Sequence, residues 1–322
     1  MTRRADIKQL IKWIEARDIR GLAKAISVVE NNETGAFDLL NYAFKNAGRS
    51  LTVGFTGTPG SGKSTLIDSL IKAYRREGRT VGVIAVDPSS PFSGGSILGD
   101  RIRMNRHSTD PGVFIRSLAN RGALGGLSEA TKLVLYLYKS FDFDVNIIET
   151  VGVGQDEIDV TKYADVTAVI LAPGQGDSIQ MSKAGIMEIA DLFIVNKSDK
   201  IEAETTKKEL EASLYLLPEG LRPPIVSTIA VENHGVKEML QLIDKVSLCS
   251  EKERQIKYHR RISEEIRSSI VHRLIRDIEP FVEQMADKVL QGNLTPMEVV
   301  SEYSTFFSDS LKNITKKIPN QR

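Results

Sequence analysis

The segment Gly57-Thr-Pro-Gly60-Ser61-Gly62-Lys63-Ser64-Thr65 has the residue types and spacing of a phosphate cradle, G-x-x-x-x-G-K-[ST]. Glycines without a Cβ let successive backbone N–H groups turn inward around a phosphate. A helix that starts at the end of the segment adds the positive end of its dipole. Gly57, Gly60, Ser61 and Gly62 are the candidate cradle. The Lys63 ammonium would reach the β- and γ-phosphates, and the Ser64 hydroxyl, with Thr65 beside it, would ligate magnesium. The flanks agree: residues 51–56 read as a buried strand, and Leu66, Ile67, Leu70 and Ile71 follow at helical spacing.

Further acids and a base-reading motif stand downstream. The apolar run 145–149 ends in Glu149. A nucleotide-hydrolysing site of this kind places an acid there, on magnesium or its water, and here it is Glu rather than the commoner Asp. Gly152 lets backbone approach the γ-phosphate and serves as a hinge. Gln155 is a candidate for orienting the attacking water, an assignment that spacing leaves open. Asp87 and Asp100 follow the run 81–86 and can act on magnesium directly or through water, although either alone also fits a cap or a turn. Lys63 and Glu149 are therefore the catalytic candidates, and Ser64, Asp87, Asp100 and Glu149 the metal candidates. Asn196-Lys197-Ser198-Asp199 closes another apolar run. The Asp199 carboxylate can accept from N1–H and the exocyclic amine of guanine, a donor pair that adenine lacks. A site whose carboxylate is left unpaired rejects the wrong base strongly. With Asn196, Lys197 and the backbone at Ile229 and Ala230, which can close over the guanine O6, the motif favours GTP over ATP.

These residues need strands that end together. Apolar runs at 51–56, 81–86, 145–149, 166–172, 192–196 and 225–229 alternate with helical stretches. Such runs suit parallel strands buried on both faces, and alternating β and α elements predict a doubly wound, mostly parallel α/β sheet. Ligands of such sheets bind at the carboxyl ends of the strands, where the motifs fall. Three segments result: a helical prefix (1–48), the nucleotide-binding domain (49–248) and a helical C-terminal arm (249–322). In the prefix, Ile7, Leu10, Ile11 and Ile14, then Leu22, Ile26 and Val29, then Phe37, Leu40 and Phe44 mark three apolar helix faces. In the arm, Ser250-Glu-Lys-Glu253 and Thr295-Pro-Met-Glu298 read as capping boxes, and Ile262, Ile266, Ile270 and Leu274 form a stripe. A helical extension of this kind suggests an oligomerisation arm.

Composition narrows the function classes. The 322 residues are 41% hydrophobic and 26% charged with a net charge of +1, so no strong field points to nucleic acid or a membrane surface. Basic residues of the arm are interleaved with acids, which suits a solvated or interface helix better than a nucleic-acid patch. The single cysteine, Cys249, builds no disulfide framework. No apolar run nears the roughly 20 residues that span a bilayer, and the first residues lack the apolar core of a secretory signal. A cytoplasmic protein is expected.

The motifs stand in the order of a known family. Gly57 to Thr65, Val86-Asp-Pro-Ser-Ser90, Gly94-Gly-Ser-Ile-Leu-Gly-Asp-Arg101, Phe114-Ile-Arg-Ser117, Leu124-Gly-Gly-Leu127, Glu149-Thr-Val-Gly-Val-Gly-Gln155 and Asn196 to Asp199 together resemble the MeaB/MMAA family, also labelled ArgK. The resemblance implies a P-loop GTPase, cycling between GTP and GDP with magnesium and acting as a homodimer. It implies a chaperone that gates adenosylcobalamin delivery to methylmalonyl-CoA mutase, or a related acyl-CoA mutase, and protects it. It also implies a partner-sensing switch at 173–185, with Gln175, Asp177 and Lys183. One departure is Ile229, where relatives commonly carry Ser. Specificity survives it if the base contact is made by backbone.

Other readings compete, among them a signalling switch without a metabolic partner, which motifs alone leave open. A metallochaperone for another metalloenzyme would need a His-rich tract or clustered cysteines, and His107, His234, His259 and His272 are scattered. An ArgK-type transport-linked kinase using ATP conflicts with Asn196–Asp199, and nothing resembles a kinase catalytic loop.

Overall fold

The computed structural model describes residues 6–31, 33–88, 107, 109–120, 129–150, 160–174, 186–248 and 251–301. The chain divides into two compact units, residues 1–250 and 251–322. In the first, strands β1 (Leu51–Gly57), β2 (Val81–Pro88), β3 (Val113–Asn120), β4 (Val145–Glu149), β5 (Val166–Leu171), β6 (Leu192–Asn196) and β7 (Ile225–Thr228) form a single sheet. Every pairing is parallel, in the order β3-β2-β4-β1-β5-β6-β7. The first strand lies between β4 and β5, so the loop that leaves it opens onto the crevice where the winding changes direction.

Alternate residues of the strands feed two faces. Val53, Phe55, Val83, Ile147, Ala168, Ile170 and Ile194 point to a core shared with α4 (Lys63–Arg76) and α8 (Val236–Ser247). Ile84, Val86, Leu118 and Ile148 point the other way, onto α5 (Glu129–Phe141) and the prefix helices. On that second side Val169, Leu171, Phe193 and Val195 meet α7 (Glu202–Leu214), with the short α6 (Ile186–Ile189) at the edge. Burial on both faces is what the mostly apolar runs require.

The structure adds one strand to the expected set. The edge strand β3 carries Arg116 and Ser117 at its centre, so it has no apolar run; pairing along β2 from Val81↔Val113 to Pro88↔Asn120 makes it a strand. The Arg116 guanidinium donates to Glu30 and ties this edge to the prefix.

The prefix helices are α1 (Ile7–Glu15), α2 (Ile19–Glu30) and α3 (Ala36–Lys45). Asp6 and Asp18 cap the first two through their carboxylates. Leu10 and Ile14 of α1, and Leu22, Ile26 and Val29 of α2, are buried as their spacing predicts. The predicted face of α3 holds only at Leu40, which packs partly buried against the prefix core. Ala36, Leu39 and Ala43 are buried, while Phe37 is 75% exposed and Phe44 44% exposed. Two small alanines let α3 lie close against its neighbours, and Phe44 covers Tyr136 edge-on, with ring centroids 5.2 Å apart. These helices share one apolar cluster with α5, so the prefix is built into the sheet's second layer.

The second unit contains α9 (Glu251–Leu290), a 40-residue helix with Pro280 inside it. Ile266, Ile270 and Ile275 are exposed on α9. The predicted box at its start involves Ser250, which lies outside the described residues. The box at Thr295 forms. Thr295 N and Oγ1 each donate to Glu298 Oε2 at 2.8 Å, and Glu298 N donates back to Thr295 Oγ1 at 3.3 Å. Among the described residues no helix is long and apolar enough to cross a membrane.

Candidate functional site

The cradle depends on three left-handed glycines, Gly57 at φ 144°, Gly60 at 79° and Gly62 at 90°. A Cβ on Gly57 would stand 2.2 Å from the Ile170 carbonyl oxygen, and one on Gly62 would stand 2.4 Å from Asn196 Nδ2. Only glycine lets the loop turn this tightly between β5 and the strand-end asparagine. The helix α4 follows at once, with Gly62 as its N-cap and no side-chain cap on its first turn. Its amino end therefore presents backbone donors and the positive dipole end to the loop. The Lys63 ammonium folds back over the loop and donates to the carbonyls of Gly57 at 2.6 Å and Thr58 at 3.0 Å. A cation already held over the cradle, together with uncapped helix donors, fits a phosphate.

Ser64 Oγ donates to Glu149 Oε1 at 2.6 Å. The parallel register brings this about: β4 sets Glu149 level with Phe55 in β1, just before the cradle begins. One hydroxyl and one carboxylate at the cradle's edge form an oxygen donor set suited to magnesium, which keeps several waters and takes few protein ligands. Asp87 lies at the carboxyl end of β2, past Ala85, whose register partner is Glu149. Asp100, Gly152, Gln155, Gln175, Asp177 and Lys183 lie outside the described residues.

The residues expected to read the base are arranged around Asn196. Its Nδ2 donates to the Ser61 carbonyl at 2.8 Å. Its Oδ1 accepts from Thr228 Oγ1 at 3.1 Å and from Ala230 N at 3.2 Å. Lys197, at φ 57°, donates from Nζ to the Gly60 carbonyl at 2.7 Å. Two side chains of the motif thus grip the cradle from outside. Asp199 is exposed and has no hydrogen-bond or ion-pair partner among the described residues. Ile229 exchanges backbone hydrogen bonds with His234, at 3.1 and 3.2 Å, which closes the loop after β7 into a small hairpin. The Ala230 N–H is already engaged by Asn196, so a guanine oxygen arriving there would share that donor.

The family model described as methylmalonyl-CoA mutase-associated GTPase MeaB matches residues 22–280. The chain belongs to the MeaB family of GTPases. A protein of Pyrococcus horikoshii whose name describes it as a GTPase is 46% identical over 300 residues, covering 90% of this chain and 95% of that one. The Escherichia coli GTPase ArgK is 36% identical over 253 residues, 76% of each chain. The mouse mitochondrial methylmalonic aciduria type A homolog is 35% identical over 306 residues, 85% of this chain and 73% of its own length. Among solved structures, one described as an LAO/AO transport system kinase superposes with a TM-score of 0.68 at 25% identity, covering 96% of this chain and 99% of that one. The α/β fold expected from the sequence is therefore the MeaB-family fold, and membership carries guanine-nucleotide binding with it.

Three buried polar residues on the elements that flank this MeaB-family site stand outside every motif. Thr228 holds Asn196 from the end of β7. Ser69 and Asp68 sit on α4, where Ser69 Oγ donates to the Ala230 carbonyl at 2.9 Å and Asp68 pairs with the buried His107 at 2.8 Å. A signal existed: both are polar residues set among Leu66, Ile67, Leu70 and Ile71, all buried, so each needed a buried partner.

Proposed function

We propose that this chain binds and hydrolyses GTP in the cradle and uses the cycle to chaperone an adenosylcobalamin-dependent acyl-CoA mutase, methylmalonyl-CoA mutase foremost. The observation that carries the nucleotide part is the Asn196 side chain bonded to both the cradle (Ser61) and the loop after β7 (Ala230). It ties the segment read as the phosphate site to the loop read as the base site, and Asp199 is exposed, which supports the reading. The mutase part rests on the printed family description and on the mouse relative's name.

The residues divide the work. Backbone N–H groups between Gly60 and Ser64, downstream of Pro59, bind the phosphates, with Thr65 on the same helical turn. Lys63 balances charge that develops toward the β- and γ-oxygens as water attacks the γ-phosphorus and GDP leaves. Ser64 and Glu149, with Asp87 and Asp100 as further acids, would hold magnesium, which when bound neutralises phosphate charge. Asn196, Lys197 and Asp199, with the Ile229–Ala230 backbone, select the base. The segments after Asp87, Glu149 and Pro173, including Gly152, follow strands at the γ-phosphate end. We assign them the switch that differs between GTP and GDP states and engages the mutase. The exposed isoleucines of α9 support a homodimer arm. The reading places the activity in the cytoplasm.

The test is magnesium-dependent GTP hydrolysis, with ATP as control, alone and with purified adenosylcobalamin-dependent mutases. Slow GTP-only turnover that rises with a mutase is the expected result. Turnover indifferent to every mutase would leave the GTPase and remove the client. A transport-linked kinase is the second reading, favoured by the name of the superposed solved structure; preferential use of ATP would establish it over ours.

A further inference from the structure

A helical serine normally turns its hydroxyl back to a carbonyl one turn earlier, and several residues here do so. Ser27 donates to Ala23 O at 3.1 Å, Thr206 to Glu202 O at 3.1 Å, and Ser213 to Glu209 O at 2.9 Å. Ser69 does not. It is buried on the second turn of α4, and its Oγ reaches out of the helix to the Ala230 carbonyl at 2.9 Å, across 161 residues of sequence.

That bond closes a ring. Ala230 O is held by Ser69, Ala230 N by Asn196 Oδ1, and Asn196 Nδ2 holds Ser61 O. Ser61 and Ser69 belong to the same continuous piece of chain, the cradle and its helix. The loop after β7 is therefore pinned to the phosphate helix at both ends of one residue. Asn233 N also donates to Ala230 O at 3.3 Å, so the same carbonyl anchors the turn of the hairpin. Asn196 ties the amide side of Ala230 to the cradle, Asn233 holds its carbonyl within the hairpin, and Ser69 is the contact that ties that carbonyl to α4.

We propose that Ser69 is a positioning residue for base selection: by holding the Ala230 carbonyl, it sets the height of the base-facing backbone against the phosphate cradle. The inference rests on the guanine-nucleotide reading above and adds a residue to it. The Ser69 hydroxyl is bonded to the Ala230 carbonyl and to no cradle residue, so its effect falls on discrimination between bases and leaves the cradle's hold on phosphate unchanged. A buried hydroxyl–carbonyl bond contributes about 1 kcal/mol net, which corresponds to about five-fold in binding.

The test compares Ser69→Val with Ser69→Thr, side chains of nearly equal size that differ in the hydroxyl. Dissociation constants of the full chain are measured for GDP, ADP and inorganic pyrophosphate, with thermal melts to verify folding. The expected result is a GDP-over-ADP preference reduced about five-fold in Ser69→Val and restored within about two-fold in Ser69→Thr, with pyrophosphate binding unchanged in both. Equal preference in the two variants overturns the inference. So does a fall in pyrophosphate binding that matches the fall for GDP, because the effect would then be a general loosening of the cradle. If Ser69→Val does not fold, Ser69→Ala, which keeps only the Cβ, takes its place with the same expected and overturning outcomes. A wild-type chain with no preference for GDP would bring down the nucleotide reading itself, an outcome distinct from a wild-type preference that the Ser69 variants leave intact.

Discussion

Ser64 Oγ and Glu149 Oε1 lie 2.6 Å apart although 85 residues separate them in the chain. The hydroxyl belongs to the first turn of α4 and the carboxylate to the last residue of β4. Parallel pairing of β1 with β4 brings them together at the edge of the cradle. Glu149→Gln keeps the shape and the acceptor but removes the charge. Magnesium affinity of the nucleotide complex should fall about 10- to 100-fold, the range found when a group supporting a metal's ligands is lost. Magnesium titration of GTP hydrolysis measures this, and an unchanged half-saturating concentration would exclude Glu149 from the metal site.

Lys63 donates to two carbonyls of the loop that it would use to hold phosphate. Lys63→Ala removes a charge-assisted contact worth about 1.5–3 kcal/mol, so GDP affinity should fall at least about ten-fold. Calorimetric titration decides it; retained affinity would overturn the phosphate assignment.

Gly62 combines a left-handed φ of 90° with an adjacent Asn196 Nδ2. Gly62→Ala both strains the backbone and pushes against the Asn196–Ser61 bond. A loss of about 1–3 kcal/mol of stability is expected, together with loss of nucleotide binding. Urea unfolding and a GDP titration on the same sample check both.

Asp199 is exposed, as the proposed guanine contact requires. Asp199→Asn should lower the GTP-over-ATP preference by more than ten-fold, since the site's discrimination rests on that acceptor. Competition binding with both nucleotides measures the ratio, and an unaltered ratio would take the role from Asp199.

The Arg75 fork, with Nε at 3.0 Å and Nη2 at 3.1 Å, holds the Asp110 carboxyl below its ordinary value of 3.8; slight burial opposes this, and the Gly112 N–H adds to it. The unfolded chain binds this proton more readily, so the pair's stabilisation is present above pH 3.8 and fades as pH falls through the lower folded value. Asp110→Asn should be destabilising at pH 7, and the gap to wild type should narrow in the acid limb below that value. Urea midpoints across the range would show it; a gap independent of pH would assign the loss to shape alone.

Much of this site was legible because its chemistry is local. Gly57 to Thr65 had to be a tight anion-binding turn, and Asn196 to Asp199 had to end a strand. The runs of β1, β2 and β4–β6 are mostly apolar because both their faces are buried. Less legible were features settled by partners distant in sequence. Strand β3 was hidden by Arg116 and Ser117. The buried face of α3 turned out to be Ala36, Leu39 and Ala43 because close approach favoured the small residues over Phe37 and Phe44.

The sequence by itself determined the parts: a cradle that needs glycine at positive φ, a lysine and a hydroxyl at fixed offsets, a strand-end carboxylate proposed to select guanine, and the alternation that yields a parallel sheet. Local sterics and hydrogen-bonding capacity set all of these within a few residues. Tertiary structure decided their assembly. Strand order placed β1 between β4 and β5, register put Glu149 beside Ser64, and the ring through Ser61, Asn196, Ala230 and Ser69 joined the phosphate and base sites. Those contacts span long stretches of chain, and side chains such as Ser69 gain a partner only when packing closes the distance.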